Sequence, residues 1–570
     1  MGTIRTQHRW TIASFGVITL LILGPMLLPG YVLTLDMAWP EHLAFVWNSD
    51  GFNNALPLSA VLALLGAILP SWVVQKVVLL GLFFALLYLP YRFLPFIEGN
   101  QGRIFAGLVY ALNPFVYSRM LAGQWTVLFG YALLPLVLSA LARVIERRDT
   151  ASAYKLAGAL LAVGTVSIHF LYLSVVLSIA WIGTYIIRDI LKKTSHAGLL
   201  LAHSLCVTLC LFGVVSLYWV IPALTRTTPI EARFDLSHFD GFAASEKHLI
   251  PTLLNLAVLG GFWGEGMAWR YYFTWPQDTI LFWCSAFALL MLVTYGGYLL
   301  LNNTRTRMFG LLVLCTGFGS YVLALGVWGG VWSAFNSWWY THMPGWSGLR
   351  DSHKIAGVLM LMYALCAGVA IDHISKHLVR ARAVIIPLCF IIPVFFGIYE
   401  WNGFHKQLTP VWYPESWYQA RSLFSGDPAG QMVLTLPWRG YYSLTFTNQR
   451  IIANLTPSFF GVERVRTGRS VEVGSVYDQE VDSEYRSLDT LIRNAVKTPA
   501  HELQTLYARH QIRYLLVVRN PSADDPWLAP PYTDKTETPN DATLLQALLQ
   551  VPHKKILERE DLVVYELMYE

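Results

Sequence analysis

Charge is scarce in this chain. Of its 570 residues only 14% are Asp, Glu, Lys or Arg, against 55% hydrophobic and 14% aromatic, whereas soluble domains carry about a quarter charged residues. That shortage excludes an ordinary soluble protein. Cysteine is rarer still: all six (Cys206, Cys210, Cys284, Cys315, Cys366, Cys389) lie in apolar segments and none follows Glu400, which excludes a disulfide framework in the hydrophilic part. His203, Cys206 and Cys210 share one helical face at i, i+3 and i+7, but small polarizable residues are ordinary in helix packing. No cofactor is expected, and nothing in the spacing supports a divalent metal. Internal repeats and a continuous basic patch are also missing. The net charge of +5 comes from short clusters between apolar runs, so nucleic acid is not an expected partner.

What is present is a series of charge-free windows. They predict about eleven membrane spans, at 10 to 31, 77 to 91, 104 to 118, 125 to 142, 156 to 170, 172 to 187, 199 to 222, 279 to 301, 308 to 329, 355 to 371 and 383 to 399. The first has no small-x-small cleavage site at its end and is expected to stay as a signal anchor. Basic clusters flank 156 to 187 on both sides, so that tract reads as a hairpin turning near His169. The basic loops fall on one side under the positive-inside rule, which predicts a cytoplasmic N-terminus in the cell membrane. Segment 55 to 70 would break that phase and is assigned to the outer surface. There it joins the loop 36 to 54, the stretch 225 to 278 with its short, glycine-broken apolar piece at 249 to 264, and a Trp-dense turn at 328 to 354.

Beyond Glu400 charges, prolines and turns become frequent. The fold class that follows is an α-helical polytopic membrane domain over 1–399 and a soluble extracytoplasmic α/β domain over 400–570. In the latter, strands are predicted at 431 to 436, 451 to 453, 514 to 518 and 562 to 567, and helices at 489 to 497, 500 to 510 and 541 to 551.

Isolated charges mark the candidate site. Asp36 follows the first apolar run directly, beside Trp39 and Pro40. With Glu41 and Asp50 it makes up the acids of the first outer loop, and one of the three can act as a general base on an acceptor hydroxyl. The alternative is an interface anchor. Asn113-Pro114 breaks the third span before its outer end, and Arg119 is the only charge between Arg103 and Arg143. An outer arginine invites an anionic partner or snorkels to the surface. Arg350-Asp351-Ser352-His353-Lys354 is the densest outer charge cluster; it suits a phosphate, or closes on itself as a local ion pair of Asp351 with Lys354 or Arg350. Arg226, Glu231, Arg233, Asp235, His238 and Asp240 are weaker candidates for acceptor contacts.

Three of these features together resemble the GT-C class of membrane glycosyltransferases: the acid just after the first span, the tract from Asn113-Pro114-Phe115-Val116-Tyr117 to Gln124, and the Arg350-to-Lys354 entrance to a late span. Within the class, the chain is similar to the membrane region of the arabinofuranosyltransferase D family and to YfhO-like proteins. The outer domain adds 510 to 518 and a terminal hairpin at 556 to 567. The paired acids common in the first GT-C loop are absent, because Met37 and Ala38 follow Asp36 and the next acid is Glu41.

The resemblance implies a polyprenyl-phosphate-linked sugar donor, a glycan or glycolipid acceptor, and inversion at the anomeric carbon. Asp36 would be the catalytic base. Glu41, Asp50, Arg119, Gln124, His169, Arg350, Asp351, His353 and Lys354 would contact substrates. A transporter or flippase, or a non-enzymatic membrane scaffold for envelope glycan, is the alternative; the near absence of charge inside the spans argues against the first.

Overall fold

The computed structural model describes residues 2–45, 53–225, 236–244, 249–266, 273–327, 331–378, 380–425, 431–468, 472–473, 476–477, 483–519 and 541–569. The helices of its first part are α1 (Gly2–Leu23), α2 (Leu56–Gly66), α3 (Ser71–Phe93), α4 (Asn100–Ala111), α5 (Pro114–Leu121), α6 (Trp125–Arg147), α7 (Thr150–Gly164), α8 (Ile168–Leu191), α9 (Ser195–Thr225), α10 (Leu236–Gly241), α11 (Leu249–Ala257), α12 (Ile280–Asn302), α13 (Arg307–Ala324), α14 (Val331–His342), α15 (Ala356–His377) and α16 (Arg382–Phe396). Among the described residues ten helices are long and apolar enough to cross a membrane.

They match ten of the eleven expected spans. The other, expected at 156 to 170, is the 15-residue α7, about 22 Å long at 1.5 Å per residue. Thr165 to Ser167 turn it into α8, where Ser167 accepts from the Phe170 backbone N–H as the N-cap. The expected hairpin is therefore present, with its turn just before His169. Segment 55 to 70 becomes the 11-residue α2, none of whose side chains is buried; its length falls well short of the roughly 20 residues a span needs. The Trp-dense segment, expected as a turn, contains the 12-residue helix α14. Asn336 sits on its inner face and donates to the carbonyls of Val322 and Gly326, while Trp332, Phe335 and Trp338 point outward.

Burial sorts the bundle. α15 is enclosed, packed on α4, α12 and α13, and the close approach to α4 rests on paired glycines, since a Cβ at Gly102 would press on the Gly368 carbonyl. α9 and α16 keep most of their apolar surface outward. The bundle core continues past α16 through a left-handed turn at Trp401–His405, where Asn402, Gly403 and Phe404 have φ of 57°, 68° and 55°. Phe404 is buried there against Phe83 and Tyr117.

The second part carries β1 (Met432–Leu436), β2 (Tyr441–Ser443), β3 (Ile451–Ala453), β4 (Val465–Arg466), β5 (Glu472–Val473), β6 (Val476–Tyr477), β7 (Ile512–Val518), β8 (His553–Glu558) and β9 (Leu562–Leu567). Five strands form one sheet in the order β4-β1-β7-β9-β8, parallel across β4, β1 and β7 and antiparallel across β9 and β8. Successive side chains alternate between faces. Val433, Leu516 and Val564 share one core with Trp417, Trp39 and Tyr31, while Leu434, Leu515 and Val563 face Tyr507 and Leu544 in another. One face of the sheet thus shares its core with the loop that follows α1.

Backbone bonds tie the two parts together. Tyr31 and Val411 exchange N–H···O bonds of 2.7 and 2.8 Å, and the Ala453 N–H donates to the Leu35 carbonyl at 2.7 Å. β2 and β3 pair antiparallel, Tyr441 opposite Ala453, and Tyr441 and Ile451 pack on the bundle core.

Candidate functional site

The helix break at Asn113-Pro114 builds the floor of the site. Asn113 is extended and its side chain accepts from the Val116 N–H, capping α5, with Pro114 at the first helical position. The Asn113 backbone N–H, left without a helical partner, donates to Glu400 at 2.5 Å. α5 is one short helix restarted at this angle, and its last turn carries Arg119 into the protein.

Arg119 is fully buried. One terminal nitrogen donates to Asp351 and to Gln124 Oε1 at 2.7 Å, the other to Asp351 at 3.0 Å and to His353 Nδ1 at 3.0 Å. Its guanidinium also lies 4.8 Å from the Phe262 ring and 5.4 Å from that of Phe115. The bidentate grip on Asp351 is the strong, directional form of this pair. Asp351 therefore pairs chiefly across 232 residues of chain, and the expected local ion pair with Lys354 is present beside it as a looser contact at 4.0 Å. Burial would raise the Asp351 carboxyl, but Arg119 and Lys354 overcome it and hold the group below the usual carboxylate range.

His353 is buried and donates from Nε2 to the Leu259 carbonyl at 3.2 Å. With Arg119 donating to Nδ1, this is the neutral tautomer. The loop after α11, expected to be an outer element, thus supplies a wall of the site. Lys354 donates to His169 Nε2 at 3.1 Å, which brings the α7–α8 turn to the same place. Arg350 lies at the edge, its guanidinium 5.0 Å from the Phe242 ring.

Asp36 stands at the end of this chain of contacts. The first loop makes a tight turn in which Thr34 donates to the Leu121 carbonyl at 2.6 Å and the Asp36 N–H to the Ala122 carbonyl at 3.0 Å. Gln75 holds the preceding Val32 N–H and C=O, both at 2.8 Å. The carboxylate accepts from Gln124 Nε2 at 2.9 Å and from the Tyr441 hydroxyl at 2.8 Å. Its side chain stays open to solvent while protein surrounds it closely. That surrounding mass raises its pKa from the ordinary value, opposed by the bonds from Gln124 and Tyr441 and by Lys354, with Asp351 adding to the rise; its accessibility limits the effect.

Gly123 makes the turn possible, because at φ +71° a Cβ there would collide with the Met37 N and the Thr34 carbonyl. Gly123→Ala is expected to displace the Asp36 turn and to cost about 1–3 kcal/mol, read as a lower thermal midpoint in detergent. A midpoint equal to that of the unaltered protein would count against this packing.

Asp36, Gln124, Arg119, Asp351, His353, Lys354 and His169 are thus brought together, with Arg350 beside them. Glu41 is not in this network: it accepts from Tyr418 at 3.4 Å and Arg421 at 3.3 Å on helix Glu415–Ser425, fastening the loop to the C-terminal α/β region. Asp50 lies outside the described residues, as do Arg226, Glu231, Arg233 and Asp235. Tyr441 and Glu400 were not foreseen. Nothing in the sequence near Tyr441 signals a site, whereas an acid directly after an apolar run, the cue that singles out Asp36, also describes Glu400. Among the described residues no three of His, Cys, Asp or Glu are grouped to share a metal ion.

No family model matches the chain, and no curated protein matches it. Solved structures do. Arabinofuranosyltransferase AftD from Mycobacteria aligns over 99% of this chain at a TM-score of 0.62 and 15% identity, and a mutant of it over 98% at 0.53 and 16%. The chain spans about two fifths of the length of those structures, 40% and 41%. At this identity the likeness concerns the fold: the chain is a polytopic membrane protein with a GT-C-like fold and a C-terminal α/β region.

Proposed function

We propose that this protein is a membrane glycosyltransferase that moves a sugar from a polyprenyl-phosphate donor to an extracytoplasmic glycan or lipid acceptor, with inversion. One observation carries the reading: a solvent-accessible carboxylate, Asp36, is held by Gln124 within electrostatic reach of Lys354, so a base and a cation converge on the same site. Asp36 takes the proton of the acceptor hydroxyl as that oxygen attacks the anomeric carbon, and the phosphate leaves with the bonding pair. Lys354, aimed by His169, and Arg350 stabilise the departing phosphate, whose low basicity removes the need for a strong acid. Arg119, whose contacts are internal, serves by holding Asp351 and His353. On this reading the protein sits in the cell membrane with its N-terminus in the cytoplasm and its α/β domain on the other side, an orientation supported by the basic loops.

Purified protein in lipid nanodiscs, titrated with a polyprenyl monophosphate, tests the donor side. Lys354→Ala and Arg350→Ala are expected to weaken binding tenfold or more, the equivalent of about 1.5–3 kcal/mol for a charged hydrogen bond, an effect larger than their effect on folding. Equal affinity in both variants and the unaltered protein would remove the phosphate role.

A further inference from the structure

We infer that Tyr441 of the outer domain is a positioning residue of the site, its hydroxyl fixing the Asp36 carboxylate through the oxygen that Gln124 does not hold, so that the site is complete only when the β2–β3 pair is docked on the first loop. This deepens the reading of Asp36 as a base and rests on it for its consequence in transfer.

The geometry is a clamp with two jaws. From the bundle, Leu121, Ala122 and Gln124 hold Thr34 and Asp36. From the outer domain, Ala453 donates to Leu35, and Tyr441, its register partner across β2 and β3, donates to Asp36. The two jaws therefore close on the same three-residue stretch, Thr34 to Asp36. A carboxylate offers about four lone-pair positions; Gln124 occupies one on Oδ2 and Tyr441 one on Oδ1, which fixes the plane of the group and leaves positions for an acceptor hydroxyl. The charged groups that face Asp36 are Lys354, which favours its ionised form, and Asp351, which opposes it. A hydrogen bond to the ionised form adds to the Lys354 side of that balance. Movement of β2–β3 away from the loop removes the bond and disfavours ionisation.

Labelling with a hydrophobic carbodiimide tests this without an assay for transfer, since the reagent modifies protonated carboxyl groups. Full-length protein in detergent is labelled across a pH series and modification of Asp36 is quantified by peptide mass spectrometry. At a pH above the labelling midpoint, Tyr441→Phe is expected to raise the labelled fraction of Asp36 about two- to tenfold, the equivalent of one lost hydrogen bond. Tyr418→Phe, which touches the same loop at Glu41 instead, should leave it unchanged. Labelling of Tyr441→Phe equal to the unaltered protein overturns the inference, and so does an equal rise in both variants, which would mean general loosening. Undiminished transfer in Asp36→Asn defeats the base assignment alone and leaves the labelling result to decide the Tyr441 contact.

Discussion

Asp36→Asn is expected to lower sugar transfer by about a hundredfold or more in rate, with polyprenyl-phosphate binding and detergent stability nearly unchanged. The substitution keeps the shape of the group, and its amide oxygen can accept from Gln124 while its NH2 donates to the Tyr441 oxygen, but it cannot take a proton. In the unaltered protein, activity should fall on acidification as Asp36 gains a proton, and because its surroundings raise its pKa the fall should begin above the ordinary carboxylate range. Full transfer in Asp36→Asn would exclude the mechanism. Loss in Asp36→Asn with a pH profile that lacks this acid limb would keep the residue and discard its role as a base.

Asp351→Asn should act differently, through assembly. It leaves the Arg119 guanidinium, fully buried, without its counter-charge, and breaking a buried pair from one side costs about 3–5 kcal/mol. The expected result is a sharp drop in thermal midpoint and in the yield of folded protein. Replacing both partners together, Arg119→Met with Asp351→Leu, should recover much of that stability, since apolar pairs of similar volume replace such bridges at little cost. Recovery of stability without transfer would separate the architectural work of the pair from the chemistry beside it. An Asp351→Asn protein as stable as the original would contradict the buried ion pair.

Much of this was legible because the chain is so poor in charge. In an apolar background Asp36 and Arg119 stand out individually and Asp351 as part of the Arg350-to-Lys354 cluster, and Asn113-Pro114 announces a helix break by local chemistry alone. Their pairing was not legible, because a contact between residues 119 and 351 leaves no local trace. In the C-terminal α/β region the apolar runs located β3 and β9 at their observed bounds. Helix Glu415–Ser425 escaped, since its buried stripe of Ser416, Trp417, Ala420 and Phe424 includes a polar residue and lies among exposed apolar ones such as Leu423. Glu41 reads as a site acid from sequence, whereas its contacts are with Tyr418 and Arg421 on that same unforeseen helix.

The span of chain between Arg119 and its carboxylate also sets a condition on biogenesis. Asp351 is added 232 residues after Arg119, and synthesis at about 5–20 residues per second makes that a wait of roughly 10–50 seconds. For that interval the Arg119 guanidinium lacks the carboxylate that pairs with it in the folded protein, so its buried ion pair is among the contacts completed only after Asp351 is made.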